Sequence, residues 1–199
     1  MTMSDSAIPT FQTGDAVLLV DPQNDFCPGG ALPVPDGHNV MPVVTAWGEA
    51  AERAGVPVFV SRDWHPPTTT HFHTFGGVWP PHCVQGTPGA AFHPDFRLPA
   101  SAVIVSKGMG ETEDAYSAFQ ARDEHGRLLA GLLRRRGVRH LYVLGLATDY
   151  CVKSSALDGV QAGWRVTVVR PGCRPVDLRP GDGQAALAAM ETAGVALLG

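Results

Sequence analysis

Leu141-Tyr142-Val143-Leu144-Gly145-Leu146-Ala147-Thr148-Asp149-Tyr150-Cys151 opens the stretch that decides the fold, and the stretch runs on to Trp164-Arg165-Val166-Thr167-Val168-Val169. Its first five residues form an apolar run of strand length. A polar turn follows. Over 151–162, Val152, Ala156, Leu157 and Val160 fall at i, i+4, i+5 and i+8, the spacing of one helix face. Gly163 stands just past that helix, where a left-handed cap is wanted, and Trp164 begins a second, β-branched run. A strand, a helix and a strand at this spacing form a crossover unit, which joins parallel strands.

The same alternation recurs on both sides of this unit. Ala16-Val17-Leu18-Leu19-Val20, Val56-Pro57-Val58-Phe59-Val60-Ser61 and Ala102-Val103-Ile104-Val105-Ser106 read as earlier strands, and Val195-Ala196-Leu197-Leu198 as a short final one. Further helices are predicted over 37–54, 115–120, 127–136 and 184–193, with Gly55, Gly137 and Gly194 just past three of them. Strands so uniformly apolar are covered on both faces. The expected architecture is therefore a three-layer α/β sandwich, with a central, mainly parallel six-stranded sheet flanked by helices, as one domain over 1–199.

Composition narrows the function. At 44% hydrophobic and 17% charged residues the chain is ordinary for a globular protein. A net charge of −4 and the absence of a basic stripe argue against nucleic acid as a partner. The cluster Arg134-Arg135-Arg136 falls at a predicted helix end, where cations suit the helix dipole. No apolar run approaches the length of a membrane span. The first twelve residues lack the pattern of an export signal. The four cysteines, Cys27, Cys83, Cys151 and Cys173, are then expected as reduced thiols in the cytoplasm.

In open parallel sheets, ligands bind beyond the carboxyl ends of the strands. The polar residues expected there are Asp21 after the first strand, Asp63 and His65 after the second, Lys107 after the third, and Thr148, Asp149 and Cys151 after the fourth. A cysteine near a helix N-terminus is favoured as thiolate. Asp21 can serve it as general base, and Lys107 can hold both groups charged. Two long stretches, 22–35 and 63–99, lack helical periodicity, and loops of that length are usually functional. The second carries Asp63-Trp64-His65 followed by His71, His73 and His82, which are the ligand types of a divalent transition-metal site. Spacing alone does not choose between His71 and His73.

These residues resemble the isochorismatase-like cysteine hydrolase superfamily and, within it, the nicotinamidase/pyrazinamidase branch. The resemblance runs from about Ala16 to about Gly172. It is carried by Asp21-Pro22-Gln23-Asn24-Asp25-Phe26, Asp63-Trp64-His65-Pro66, Trp79-Pro80-Pro81-His82-Cys83-Val84, Gly86-Thr87-Pro88-Gly89-Ala90, Lys107-Gly108, Asp114-Ala115-Tyr116-Ser117-Ala118-Phe119 and Ala147-Thr148-Asp149-Tyr150-Cys151-Val152. It implies a catalytic triad of Asp21, Lys107 and Cys151, and a cis peptide between Leu146 and Ala147. It also implies a metal (Zn, Fe or Mn) on Asp63, His65, His71 and His82, with His71 preferred to His73 because a His-Phe pair precedes the Gly-Gly-x-Trp-Pro segment.

The implied activity is hydrolysis of nicotinamide, and of pyrazinamide, through a thioester on Cys151, a step of NAD salvage. Phe26, Trp79 and Tyr116 would hold the pyridine ring, and the backbone N–H groups of Ala147 and Cys151 the oxyanion. A small-molecule substrate is the expected partner, for a monomer or small homo-oligomer. A metal-storing protein would explain the histidines but would leave Asp21, Lys107 and Cys151 with no reason to converge.

Overall fold

The computed structural model describes residues 8–113 and 116–199. Six strands form one sheet: β1 (Asp15–Val20), β2 (Val58–Asp63), β3 (Val103–Lys107), β4 (His140–Leu146), β5 (Arg165–Arg174) and β6 (Ala196–Leu198). Their order is β3-β2-β1-β4-β5-β6, and every pairing is parallel. The central strands β1 and β4 are buried along their whole length, as their apolar runs require.

The helices are α1 (Met41–Arg53), α2 (Leu129–Arg135), α3 (Lys153–Gln161) and α4 (Asp182–Thr192). The chain winds outward from β1 through α1 to β2, and in the opposite direction from β4 through α3 to β5. Right-handed crossovers then put α1 and α3 on opposite faces. The packing agrees. Trp47 of α1 packs at a tilt against Tyr142 of β4 at 5.2 Å between ring centroids, whereas Gly159 of α3 lies against Val166, whose register partner is Leu141 on the other face. The strand order reverses between β1 and β4, so the crevice at that switch point is where the fold offers a ligand site. The two strands approach closely there. A Cβ on Gly145 (φ 135°) would overlap the Val20 backbone, so this position requires glycine.

Several boundaries differ from the sequence reading. Asp63 and Lys107 are the last residues of β2 and β3 rather than the residues after them, and they are register partners. β5 runs on to Arg174. The helix expected over 115–120 is only a 3₁₀ turn, Ala118–Gln120, closed by a Ser117/Gln120 capping box; Ala115 lies outside the described residues. So short a segment cannot repay helix nucleation, and the box satisfies its one turn. The helix expected over 37–54 begins with a 3₁₀ turn, Gly37–Val40, and that expected over 127–136 spans only α2. The helix expected from Cys151 is preceded by a wider π turn, Thr148–Val152, which contains the cysteine. The four glycines expected to cap helices all have positive φ.

Candidate active site

The two long loops fold over the carboxyl edge of the sheet and tie to each other. Asn24 N–H donates to Ala91 O at 3.0 Å, and His93 N–H donates to Pro22 O at 2.9 Å. Gln23, fully buried, pairs with the end of β2 as a strand would. Its Nε2 donates to Asp63 O at 2.8 Å, and its Oε1 accepts the Asp63 N–H at 2.8 Å. The Asp63 backbone is thereby fixed next to β1.

Beneath these loops lie Asp21, Lys107 and Cys151. Lys107 is buried, with Nζ 2.9 Å from Asp21 Oδ2 and 3.4 Å from Cys151 Sγ, and it also donates to Asp63 Oδ1. Oxygens of Asp21 and Asp63 and the Cys151 sulfur all lie within 4.8 Å of one another. Asp21 has φ of 47°, an uncommon conformation for a residue with a side chain. It is held there by its N–H to Ser61 O at 3.2 Å and by Ser61 Oγ, which donates to Asp21 Oδ1 at 2.6 Å. Asp21 Oδ2 has no hydrogen-bond donor among the described residues apart from its ion pair with Lys107, which leaves acceptor capacity facing the cysteine. The Leu146-Ala147 peptide is cis.

The electrostatics follow from burial. Burial alone would lower Lys107, but Asp21, Asp63 and Cys151 outweigh it and hold the ammonium well above its ordinary range. Burial pushes the Asp21 carboxyl up, aided by Asp63 and opposed by Lys107, so it is a stronger base than an exposed aspartate. Asp63 goes the other way: burial would raise it, but Lys107 and the neighbouring histidines hold it below the usual carboxylate range. At Cys151 burial prevails over the bias of a helix start toward thiolate. Burial pushes this thiol well above its ordinary value, more than Lys107 lowers it, so attack requires a base.

On the other side of Asp63 lie three imidazoles. His65, His71 and His82 each offer a ring nitrogen, and these atoms lie within 4.8 Å of one another; all three residues are buried. His65 Nε2 is 3.6 Å and His82 Nε2 is 3.8 Å from Asp63 Oδ2. His65 Nδ1 faces Gly108 O at 3.0 Å and His82 Nδ1 faces Pro80 O at 2.7 Å. Each pairing to a carbonyl sets the tautomer that leaves Nε2 a lone pair for a cation. His65 Nε2 is buried with no hydrogen-bond partner among the described residues. Burial lowers His82 to about 4, despite the opposing pull of Asp63, so it is neutral at pH 7, the form that ligates. The donor set fits a divalent transition metal. His73 is exposed and outside this group. Gly108 (φ 64°) allows the close approach, because a Cβ there would overlap the His65 ring.

An aromatic-lined cleft opens onto Cys151, Asp63, His71 and His82. Phe26, Trp79 and Tyr116 line it, and Trp79 Nε1 donates to Tyr116 Oη at 2.7 Å. Other lining residues escaped the sequence reading: Tyr150, whose ring meets Trp79 at 5.0 Å, and Leu32, Val34 and Val176. Tyr150 could have been read from its place beside Cys151. Val176 could not, since it arrives from β5's far end. Asp149, one of the polar strand-end residues, does not face the cleft chemistry. Its carboxylate accepts the N–H groups of Val176 and Asp177, each at 2.9 Å, and holds that segment in place.

Comparison with known proteins agrees with this geometry. The sequence profile of the isochorismatase domain matches residues 15–199. The chain is 39% identical to a nicotinamidase of Escherichia coli, over 92% of this chain and 93% of that one. It is also 39% identical to a nicotinamidase/pyrazinamidase of Mycobacterium tuberculosis, over 92% and 97%. The crystal structure of a pyrazinamidase of Pyrococcus horikoshii in complex with zinc superposes with a TM-score of 0.86 at 39% identity, covering 93% of this chain and 98% of that one. With the switch-point crevice, the buried Asp–Lys–Cys cluster and the adjoining histidines in place, these matches lead to one assignment: the chain belongs to the isochorismatase family.

Proposed function

We propose that the chain hydrolyses nicotinamide to nicotinate and ammonia, with pyrazinamide as a further substrate, through a thioester on Cys151. The observation that carries this reading is the shared position of Asp63. One oxygen meets the lysine that contacts Cys151, and the other faces His65 and His82. A nucleophile and a donor set for a metal therefore open onto one cleft of aromatic residues.

In this reading the flat pyridine ring lies among Phe26, Trp79 and Tyr116, whose faces suit it. Asp63, His65, His71 and His82 would hold a divalent metal (Zn, Fe or Mn), which would supply a positive centre for the ring nitrogen. A ring held among these aromatic side chains presents its carboxamide to Cys151. Asp21 takes the thiol proton, and Lys107 stabilises the thiolate as it forms. Sulfur attacks the amide carbon, and the N–H groups of Ala147 and Cys151 receive the oxyanion. Asp21 returns the proton to nitrogen as the C–N bond breaks, and ammonia leaves. Water then attacks the thioester with Asp21 as base, the C–S bond breaks, Asp21 returns the proton to the departing sulfur, and nicotinate is released.

The test is ammonia release from nicotinamide with metal analysis of the same sample. Turnover that rises with metal content supports the reading; full turnover in chelated protein rules out the metal's role in orienting the substrate. Among the described residues no helix is long and apolar enough to cross a membrane.

A further inference from the structure

Asp25 is a buried carboxylate with no ion pair among the described residues. A charge in that setting is costly unless hydrogen bonds satisfy it, and here both oxygens are committed to backbone. Oδ1 accepts the Ala31 N–H at 3.0 Å, and Oδ2 accepts the Cys83 N–H at 2.7 Å.

Cys83 is the residue next to His82, and it holds φ of 44° without being glycine. A left-handed conformation costs such a residue roughly 1–2 kcal/mol and persists only where its surroundings fix it. Two contacts do so. Cys83 N–H is held by Asp25, and Cys83 O accepts the His65 N–H at 3.0 Å. The peptide joining His82 to Cys83 is thus pinned by Asp25, while the other side of Cys83 is pinned to the backbone of a second histidine of the same group. The next residue along, Phe26, packs on the next ring: its centroid lies 5.7 Å from that of His82. Two adjacent residues of one loop therefore brace two adjacent residues of the other. Gly89 completes the fit, because a Cβ there would overlap the Asp25 carboxylate.

We propose that Asp25 is a positioning residue for the metal centre: by fixing the backbone of Cys83 it aims His82 at the point shared with His65, His71 and Asp63. This deepens the reading of that group as a metal site and rests on it. Asp25 touches neither substrate nor metal, and it acts through His82. Asp25→Asn keeps the shape but replaces one acceptor by a donor, so either the Cys83 or the Ala31 N–H faces an NH₂ group. Gly89→Ala leaves the carboxylate intact and displaces it.

The experiment measures Zn²⁺ affinity by competition with a chromophoric chelator for wild type, Asp25→Asn and Gly89→Ala. It adds the absorption spectrum of each with Co²⁺, and the melting temperature of each metal-free protein. Both variants are expected to bind Zn²⁺ about 10–100-fold more weakly, the range found when groups supporting a metal ligand are lost. Both are also expected to show an altered Co²⁺ spectrum, which a merely structural role would not produce. Wild-type affinity and an unchanged Co²⁺ spectrum in either folded variant overturn the inference while leaving the metal site standing. Failure of the wild type itself to bind Zn²⁺ overturns both.

Discussion

Lys107→Met removes the cation shared by Asp21, Asp63 and Cys151 while keeping an unbranched side chain of similar length. In the wild type, Nζ lies 2.9 Å from Asp21 Oδ2 and also contacts Asp63, and both carboxyls are almost wholly buried. Without the lysine, Asp21 is left in a dry site with no cation beside it, and Asp63 keeps only its histidine neighbours. Removing one partner of a buried ion pair costs about 3–5 kcal/mol. For a chain of this size that corresponds to a melting temperature lower by about 6–20 °C. A typical domain has about 5–15 kcal/mol to lose, so a chain near the middle of that range stays folded at 25 °C with this loss. The pH dependence identifies the cause. With Lys107 gone, the Asp21 carboxyl, already raised by burial and by Asp63, moves further above its unfolded value of about 3.9. A raised carboxyl stabilises the fold at low pH and ceases to do so as pH rises, so the deficit is largest near pH 8 and shrinks toward pH 5. The assay is urea denaturation of chelator-treated wild type and variant at several pH values, with ammonia release measured alongside. Turnover should fall by roughly four to six orders of magnitude, as expected when one member of a catalytic unit is lost. A variant as stable as wild type at pH 8, or a deficit that widens on acidification, refutes the reasoning.

Gly108→Ala places a methyl group against the His65 ring and strains a backbone at φ of 64°; Zn²⁺ affinity should drop at least tenfold by chelator competition, and unchanged affinity would show that the His65 ring does not need this contact. At the opposite end of the sheet, buried His140 bonds Asp15 at 3.1 Å and Thr167 at 2.8 Å. Burial, helped by Arg165, holds His140 below the ordinary imidazole value, outweighing Asp15. The unfolded chain therefore takes up this proton first, and the stability that His140 contributes is lost as pH falls below about 6.5. His140→Gln should flatten the stability profile between pH 7 and pH 5 in urea melts, and an unaltered slope counts against this assignment.

The parallel sheet was legible because its signal is local. Each strand is an apolar run, and each crossover helix carries its own periodicity. The convergence of Asp21, Lys107 and Cys151 was legible too, since a strand's carboxyl end can be read without knowing strand order. Strand order itself was not legible, yet it is what brings β1 and β4 together at the switch point and sets Lys107 beside Asp63. The short helical segments misled for a physical reason: over 115–120, side-chain capping by Ser117 and Gln120 decides the conformation rather than periodicity. The helix-start bias of Cys151 toward thiolate is visible in sequence, but the burial that opposes it is not. Val176, Leu32 and Val34 reach the cleft through loop paths fixed by single contacts, such as those of Asp149. Nothing in their local sequence announces them.

The central claim is that the Cys151 thiol attacks the amide. It is tested most directly by ammonia release from nicotinamide with Cys151→Ala, alongside wild type, with the Zn²⁺ affinity and melting temperature of both proteins measured in parallel. The account predicts that turnover disappears while metal binding and fold persist. Turnover near the wild-type rate in a folded, metal-bound Cys151→Ala protein would contradict it and point to water as the nucleophile.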